Sequence, residues 1–166
     1  PLSYLTVRHT NAALPALEAG KVDPYDPLHR SSGLSEKNRR RIESAKPGGT
    51  WHDWDADLVT ACHKEPTGRG YVSVYGRMPW DEPAPTITTQ FHGFGNGRFG
   101  HPEQNRALSL REGALLQSFP VDYKFVGPAD PIHFSTVARM IGNAVPVTLA
   151  RALARSIRRH LEEARI

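Results

Sequence analysis

The tightest constraint on this chain lies near its end. Leu149, Leu153, Ile157 and Leu161 recur every four residues, on one face of a helix, while Arg151, Arg155, Arg158 and Arg159 fall on the other. Such a helix needs an apolar surface to cover it, and little in this sequence supplies a sheet that could. Before it stands Arg139-Met140-Ile141-Gly142-Asn143-Ala144-Val145-Pro146: an apolar approach, a Gly-Asn break and a proline suited to the first position of a helix. The stretch predicts two helices joined at Gly142-Asn143. The second helix presents an N-terminus whose free N–H groups and partial positive charge suit a polar or anionic small molecule. A plain structural break between two core helices fits the same residues.

Upstream the pattern changes. Ser109 predicts a helix cap with Glu112 at the capping-box position, Leu115, Leu116 and Phe119 on the buried side, and Pro120 as the stop. Ser135 is expected to cap the helix that runs to Ile141. Ser35 to Ala45 reads as a helix with a basic face of Lys37, Arg39, Arg40 and Arg41, stopped by Lys46-Pro47-Gly48-Gly49. Leu2–Val7, Tyr71–Tyr75 and Thr86–Thr89 read as short strands, the middle one by clear alternation. Leu58 to His63 reads as a strand or turn, and residues 18–35 and 121–131 as loops. Four glycines fall within residues 93–100, among Phe91, His92, Phe94, Arg98 and Phe99, and allow close approach of the main chain to a large partner. The expected fold class is α+β: a small irregular β-rich unit followed by a helical C-terminal third.

Charge bears on partners. Twenty-one Lys and Arg stand against seventeen acids in 166 residues, and Arg greatly outnumbers Lys, which suits phosphates and guanine edges. The lone cysteine, Cys62, excludes an internal disulfide and fits a reducing compartment. No apolar run is long enough for a membrane span and no signal peptide is visible. The chain begins at Pro1 rather than Met, which suggests a processed product or a fragment. His52, Asp53, Cys62 and His63 match no compact zinc spacing, so no metal site is expected and Cys62 reads as a buried packing residue. Residues 93–100 are not a phosphate loop, since no Lys-Ser/Thr follows. Thr86, Thr88, Thr89, Gln90, His92, Asn96 and Arg98 bring hydrogen-bonding groups to a flexible backbone, as base-edge and phosphate contacts require. A polar surface loop has the same composition.

Three stretches together resemble the DNA (cytosine-5) methyltransferase family. Arg106-Ala107-Leu108-Ser109-Leu110-Arg111-Glu112, with Leu115–Pro120 and Asp122-Tyr123, is similar to the ninth motif of that family. Ile141-Gly142-Asn143-Ala144-Val145-Pro146 is similar to its tenth and last. Trp80–Thr89, with His101-Pro102, resembles the end of the variable target-recognition region of bacterial members; residues 1–60 resemble its start less specifically.

The resemblance implies an enzyme of two parts. The larger, a doubly wound sheet, binds S-adenosyl-L-methionine and carries the catalytic Cys of a Pro-Cys pair. The smaller reads double-stranded DNA, and the target cytosine flips out between them for methylation at C5. This sequence holds no Phe-x-Gly-x-Gly loop, Pro-Cys, Glu-Asn-Val or Gln-x-Arg-x-Arg, and Cys62 follows Ala61. It is therefore expected to be the C-terminal portion, inactive alone: residues 1–105 as target-recognition region and 106–166 as the helical segment completing the catalytic domain. No catalytic residue is assigned within it. Residue by residue, the resemblance places Asn143, Ala144 and Val145 at the cofactor pocket and Arg106 and Glu112 in a structural motif. Arg77, Thr86, Thr88, Thr89 and Arg98 are the candidates for DNA contact. The implied partners are duplex DNA and an N-terminal catalytic half, on the same polypeptide or a separate subunit. The implied setting is the bacterial cytoplasm and nucleoid, as in restriction-modification. A stand-alone DNA-binding or assembly module, and a degenerate remnant that does not fold stably, are the alternatives.

Overall fold

The structure, a computed structural model, describes residues 4–164. Among these, six α-helices follow in order: α1 (Val7–Asn11), α2 (Glu36–Ser44), α3 (Ala61–Lys64), α4 (Leu110–Leu116), α5 (Phe134–Asn143) and α6 (Val147–Glu163). Single 3-10 turns stand at Trp51–Asp53 and Phe94–Asn96.

The core has two centres. In the larger, α1, α4 and α5 pack together around Phe91, Leu108, Leu110 and Ile141. Gly113 of α4 lets the Phe91 ring lie on the helix, because a Cβ there would overlap the ring. The smaller centre is built on Ile42 of α2 with Trp51, Trp54, Leu58 and Phe94.

The capping residues act as the sequence requires. The Ser35 hydroxyl accepts from Asn38 N, and Ser109 forms a capping box with Glu112. α6 starts at Val147 with Pro146 as its cap residue, and α5 runs from Phe134 to Asn143 with His133, not Ser135, at its cap. On α4 the buried side is Leu110 to Ala114, while Leu115, Leu116 and Phe119 are half-buried. Arg41 leaves the expected basic face: it is buried, donates to Leu58 O at 2.8 Å, and lies over the rings of Trp54 and Tyr75.

The expected strands do not form ladders. Residues 2 and 3 of the Leu2–Val7 stretch lie outside the described residues, and Val7 opens α1, where Val7 N and Arg8 N donate to Glu82 O and Trp80 O. Tyr71 and Val72 spend their N–H groups on Gly68 O and Gly70 O, and Tyr75 is left-handed (φ 57°), so the 71–75 alternation never becomes a strand. Thr86–Thr88 take part in no strand or bridge, and Leu58 to His63 leads into α3. Among the described residues, bridged backbone is confined to isolated pairs, Val22 to Arg30 and a row through Pro47, Arg77, Gly100 and Ala107. That row closes tightly: a Cβ on Gly100 would lie 2.9 Å from Gly76 O.

Candidate functional site

The ninth-motif-like block is held by a buried ion pair. Arg106 is fully buried and its fork donates to both Glu112 oxygens, each at 2.7 Å. Glu112 Oε2 also accepts from Ser109 N at 2.7 Å, and Arg106 Nε reaches Leu17 O at 3.0 Å, tying the N-terminal loop to α4. Burial alone would raise the Glu112 pKa, but the Arg106 hydrogen bonds and charge hold it below the usual carboxylate range. His101 completes the cluster 3.6 Å from Glu112. Its Nδ1 accepts from Glu103 N and Gln104 N, so that nitrogen is unprotonated. Burial, opposed only in part by Glu112, pushes the His101 pKa down to about 4.

The link between α5 and α6 is gripped from the end of α4. Gln117 Nε2 donates to Ile141 O and Ala144 O, Gln117 O accepts from Val147 N, and Ser118 Oγ accepts from Thr148 N. With its backbone fixed, the link turns Asn143 and Val145 outward and keeps Ala144 half-buried. The Gly-Asn pair thus closes α5, and the chain turns through Ala144–Pro146 before α6 begins. Gly142 faces the backbone of Thr88 and Thr89, where any Cβ would overlap Thr88 C and Thr89 N. The residue just before the cofactor candidates therefore packs on two of the DNA candidates with no side chain between the backbones.

Of the DNA candidates, Thr86, Thr88 and Arg98 are exposed and Thr89 is half-buried. Ile87 and Phe91 anchor this strap inward. The glycine-rich loop follows, with Gly95 beneath the Tyr75 ring at a spacing a Cβ would violate (2.9 Å).

Arg77 must be corrected. It is 4% exposed, and its fork donates to the carbonyls of Ile42, Ala45, His101 and Gln104 and to the Asn105 side chain, leaving no face for DNA. It joins the end of α2 to the turn before Arg106. Cys62 is also corrected: α3 turns it outward, 3.1 Å from Thr60 Oγ1, and turns His63 inward onto Trp51. Among the described residues no three His, Cys, Asp or Glu side chains converge as a metal cage would need, and no helix is long and apolar enough to cross a membrane.

Gln117 and Ser118 lie within the ninth-motif-like block, and their grip on the α5–α6 link is visible only in three dimensions. The Arg111–Asp26 pair, 85 residues apart in sequence, carried no sequence signal at all.

Comparison with known proteins bears on these surfaces together. The family model for the C-5 cytosine-specific DNA methylase matches residues 11–159. The chain is 54% identical over 162 residues to the type II methylase M.HgiDII of Herpetosiphon aurantiacus, covering 98% of this chain and 46% of that protein. It is 31% identical to DNA (cytosine-5)-methyltransferase 1A of Oryza sativa subsp. japonica, over 99% of this chain and 13% of that protein. It is 34% identical to the type II methyltransferase M.Sau96I of Staphylococcus aureus, over 82% of this chain and 31% of that protein. The chain thus spans less than half the length of each of these relatives.

Proposed function

The chain belongs to the C-5 cytosine-specific DNA methylase family, and on that footing we propose that it is the C-terminal, DNA-reading part of a DNA (cytosine-5) methyltransferase. In this reading residues 1–105 form the target-recognition region, and residues 106–166 complete a catalytic domain whose doubly wound sheet lies in the remainder of the enzyme. The architecture so completed is α+β. The nucleophile and the cofactor's glycine loop belong to that remainder, so this chain alone is inactive.

What carries the reading is the contact at Gly142. It packs the residue that precedes Asn143–Val145 against the backbone of Thr88 and Thr89, within the segment that the family model matches. The residues fit a cofactor wall: Asn143 is exposed, its amide forms no hydrogen bond among the described residues, and Val145 is 57% exposed. S-adenosylmethionine, when bound, supplies the methyl group. Asn143 would hold a polar edge of it, while Ala144 and Val145 would cover an apolar one. Gln117 fixes the link so that little ordering cost remains on binding. Thr86, Thr88 and Thr89 donate to backbone oxygens of the duplex, and Arg98 offers its fork to a base edge or a phosphate. The target cytosine is extruded toward the remainder of the enzyme. The type II bacterial relatives support a place within restriction-modification, and in this reading the enzyme works in the bacterial cytoplasm, on the nucleoid.

Duplex binding by the 166-residue chain tests the recognition half of this reading. Salt-dependent binding with preference among cytosine-containing sites, lost with Arg98→Ala, is expected. Equal affinity for every duplex, or none at 50 mM salt, contradicts it.

A further inference from the structure

The motif-like surfaces leave one feature of the recognition region unused. Beside the smaller core centre runs a groove of about 640 Å³, lined by Trp51, His52, Val59, His63, Lys64 and Arg69, with Ala56 at its edge. Its floor is rigid. His63 stacks on Trp51 with ring centres 4.5 Å apart, and His52 meets the same indole edge-on. The indole N–H donates to Tyr71 O at 2.6 Å, which holds the Gly68–Val72 turn alongside.

The groove's lining carries cations only, although exposed carboxylates stand in the same segment. Asp53, Asp55, Asp57 and Glu65 all belong to this segment, yet no carboxylate lines the groove. Asp57 pairs with Arg40, and Asp53 accepts from Thr50 N. Lys64 and Arg69 are exposed and have no acidic partner among the described residues. They share this with other exposed cations, Arg98 and Arg139 among them, but lie together on one groove. Two unpaired cations and an exposed imidazole thus border an apolar, aromatic floor, a charge pattern complementary to a sugar–phosphate chain.

We propose that the groove beside Trp51 seats the phosphodiester backbone of duplex DNA flanking the bases that are read, with Lys64, Arg69 and His52 on phosphates. This rests on the DNA reading above and adds to it a contact that carries affinity but no sequence preference. Neither cation belongs to the threonine strap or the cofactor link, so the two sets can be separated by mutation.

The test is fluorescence anisotropy of the 166-residue chain with labelled duplexes between 50 and 200 mM salt, comparing wild type with the Lys64→Gln/Arg69→Gln double variant. Each released phosphate contact takes about 0.9 from the slope of log K against log[salt], so the variant should lose about 1.8. Across that salt range its affinity should fall about tenfold less than that of wild type. The loss at 50 mM should be the same on every sequence. Ala56→Glu, which keeps both cations and places a carboxylate at the groove edge, should also weaken binding on all sequences. An unchanged slope in the double variant, or a loss confined to one base sequence, overturns the proposal while the recognition reading stands. Absence of duplex binding by folded wild type overturns both.

Discussion

Glu112 is the side chain on which the C-terminal block depends most. It neutralises a fully buried guanidinium, and its removal leaves Arg106 charged and unpaired. Glu112→Ala should cost about 3–5 kcal/mol in urea unfolding, and a loss below 1 kcal/mol would show that the pair is dispensable. His101 gives a pH signature. Its folded pKa of about 4 lies below the ordinary 6.5, so between these values the unfolded chain binds a proton that the folded one refuses. Stability from this group is complete above pH 6.5 and declines as pH falls toward 4, by roughly 3 kcal/mol. His63 and His92, also lowered by burial, add slope of the same sign. Unfolding midpoints between pH 7 and 4 should therefore fall less steeply in His101→Asn, whose side-chain oxygen can still accept from Glu103 N and Gln104 N. Identical slopes would contradict the assignment. Arg77 shows why such roles escape a reading of the sequence. A guanidinium fork suits backbone carbonyls as well as phosphates, and only its burial against Ile42, His101 and Gln104 decides between them.

Elements whose signals are local were legible: the caps at Ser35 and Ser109 and the long last helix stand where residue chemistry puts them, whereas Gly142-Asn143 ends α5 and the expected turn falls at Ala144–Pro146. Those that depended on a partner were not. Tyr71–Tyr75 alternates as a strand should, but its backbone groups turn back on Gly68 and Gly70 and no neighbouring strand competes for them. The contact of α5 with the Thr88–Thr89 backbone was equally hidden, because Gly142 reads as a helix end and not as clearance for another segment. Gly142→Ala should cost about 1–3 kcal/mol by overpacking. It should also weaken duplex binding more than Arg139→Ala does, since Arg139 is exposed on the same helix. Equal DNA affinity for the two variants would show that the strap position does not matter for binding.

For the molecule as a whole, α6 is the unfinished part. It has 17 residues, about 25 Å of helix, and none of its side chains is buried. Leu149, Leu153, Ile157 and Leu161 are each more than half exposed in a stripe along it. The sequence pattern gave this stripe clearly and could not give its cover, which in the proposed reading lies on the remainder of the enzyme. Deleting residues 147–166 should then leave the melting of this chain nearly unchanged, while Leu153→Asp should abolish association with an N-terminal half at micromolar concentration. A large drop in melting temperature on deletion would place α6 in this chain's own core. The account as a whole meets its sharpest test in methyl transfer. This chain, the N-terminal half of M.HgiDII, and the two mixed are each incubated with duplex DNA and S-adenosylmethionine carrying a labelled methyl group. The expected result is label on cytosine C5 only in the mixture, lost again with Asn143→Ala. Transfer by this chain alone, or silence of the mixture on every duplex although both halves are folded and associated, would contradict it.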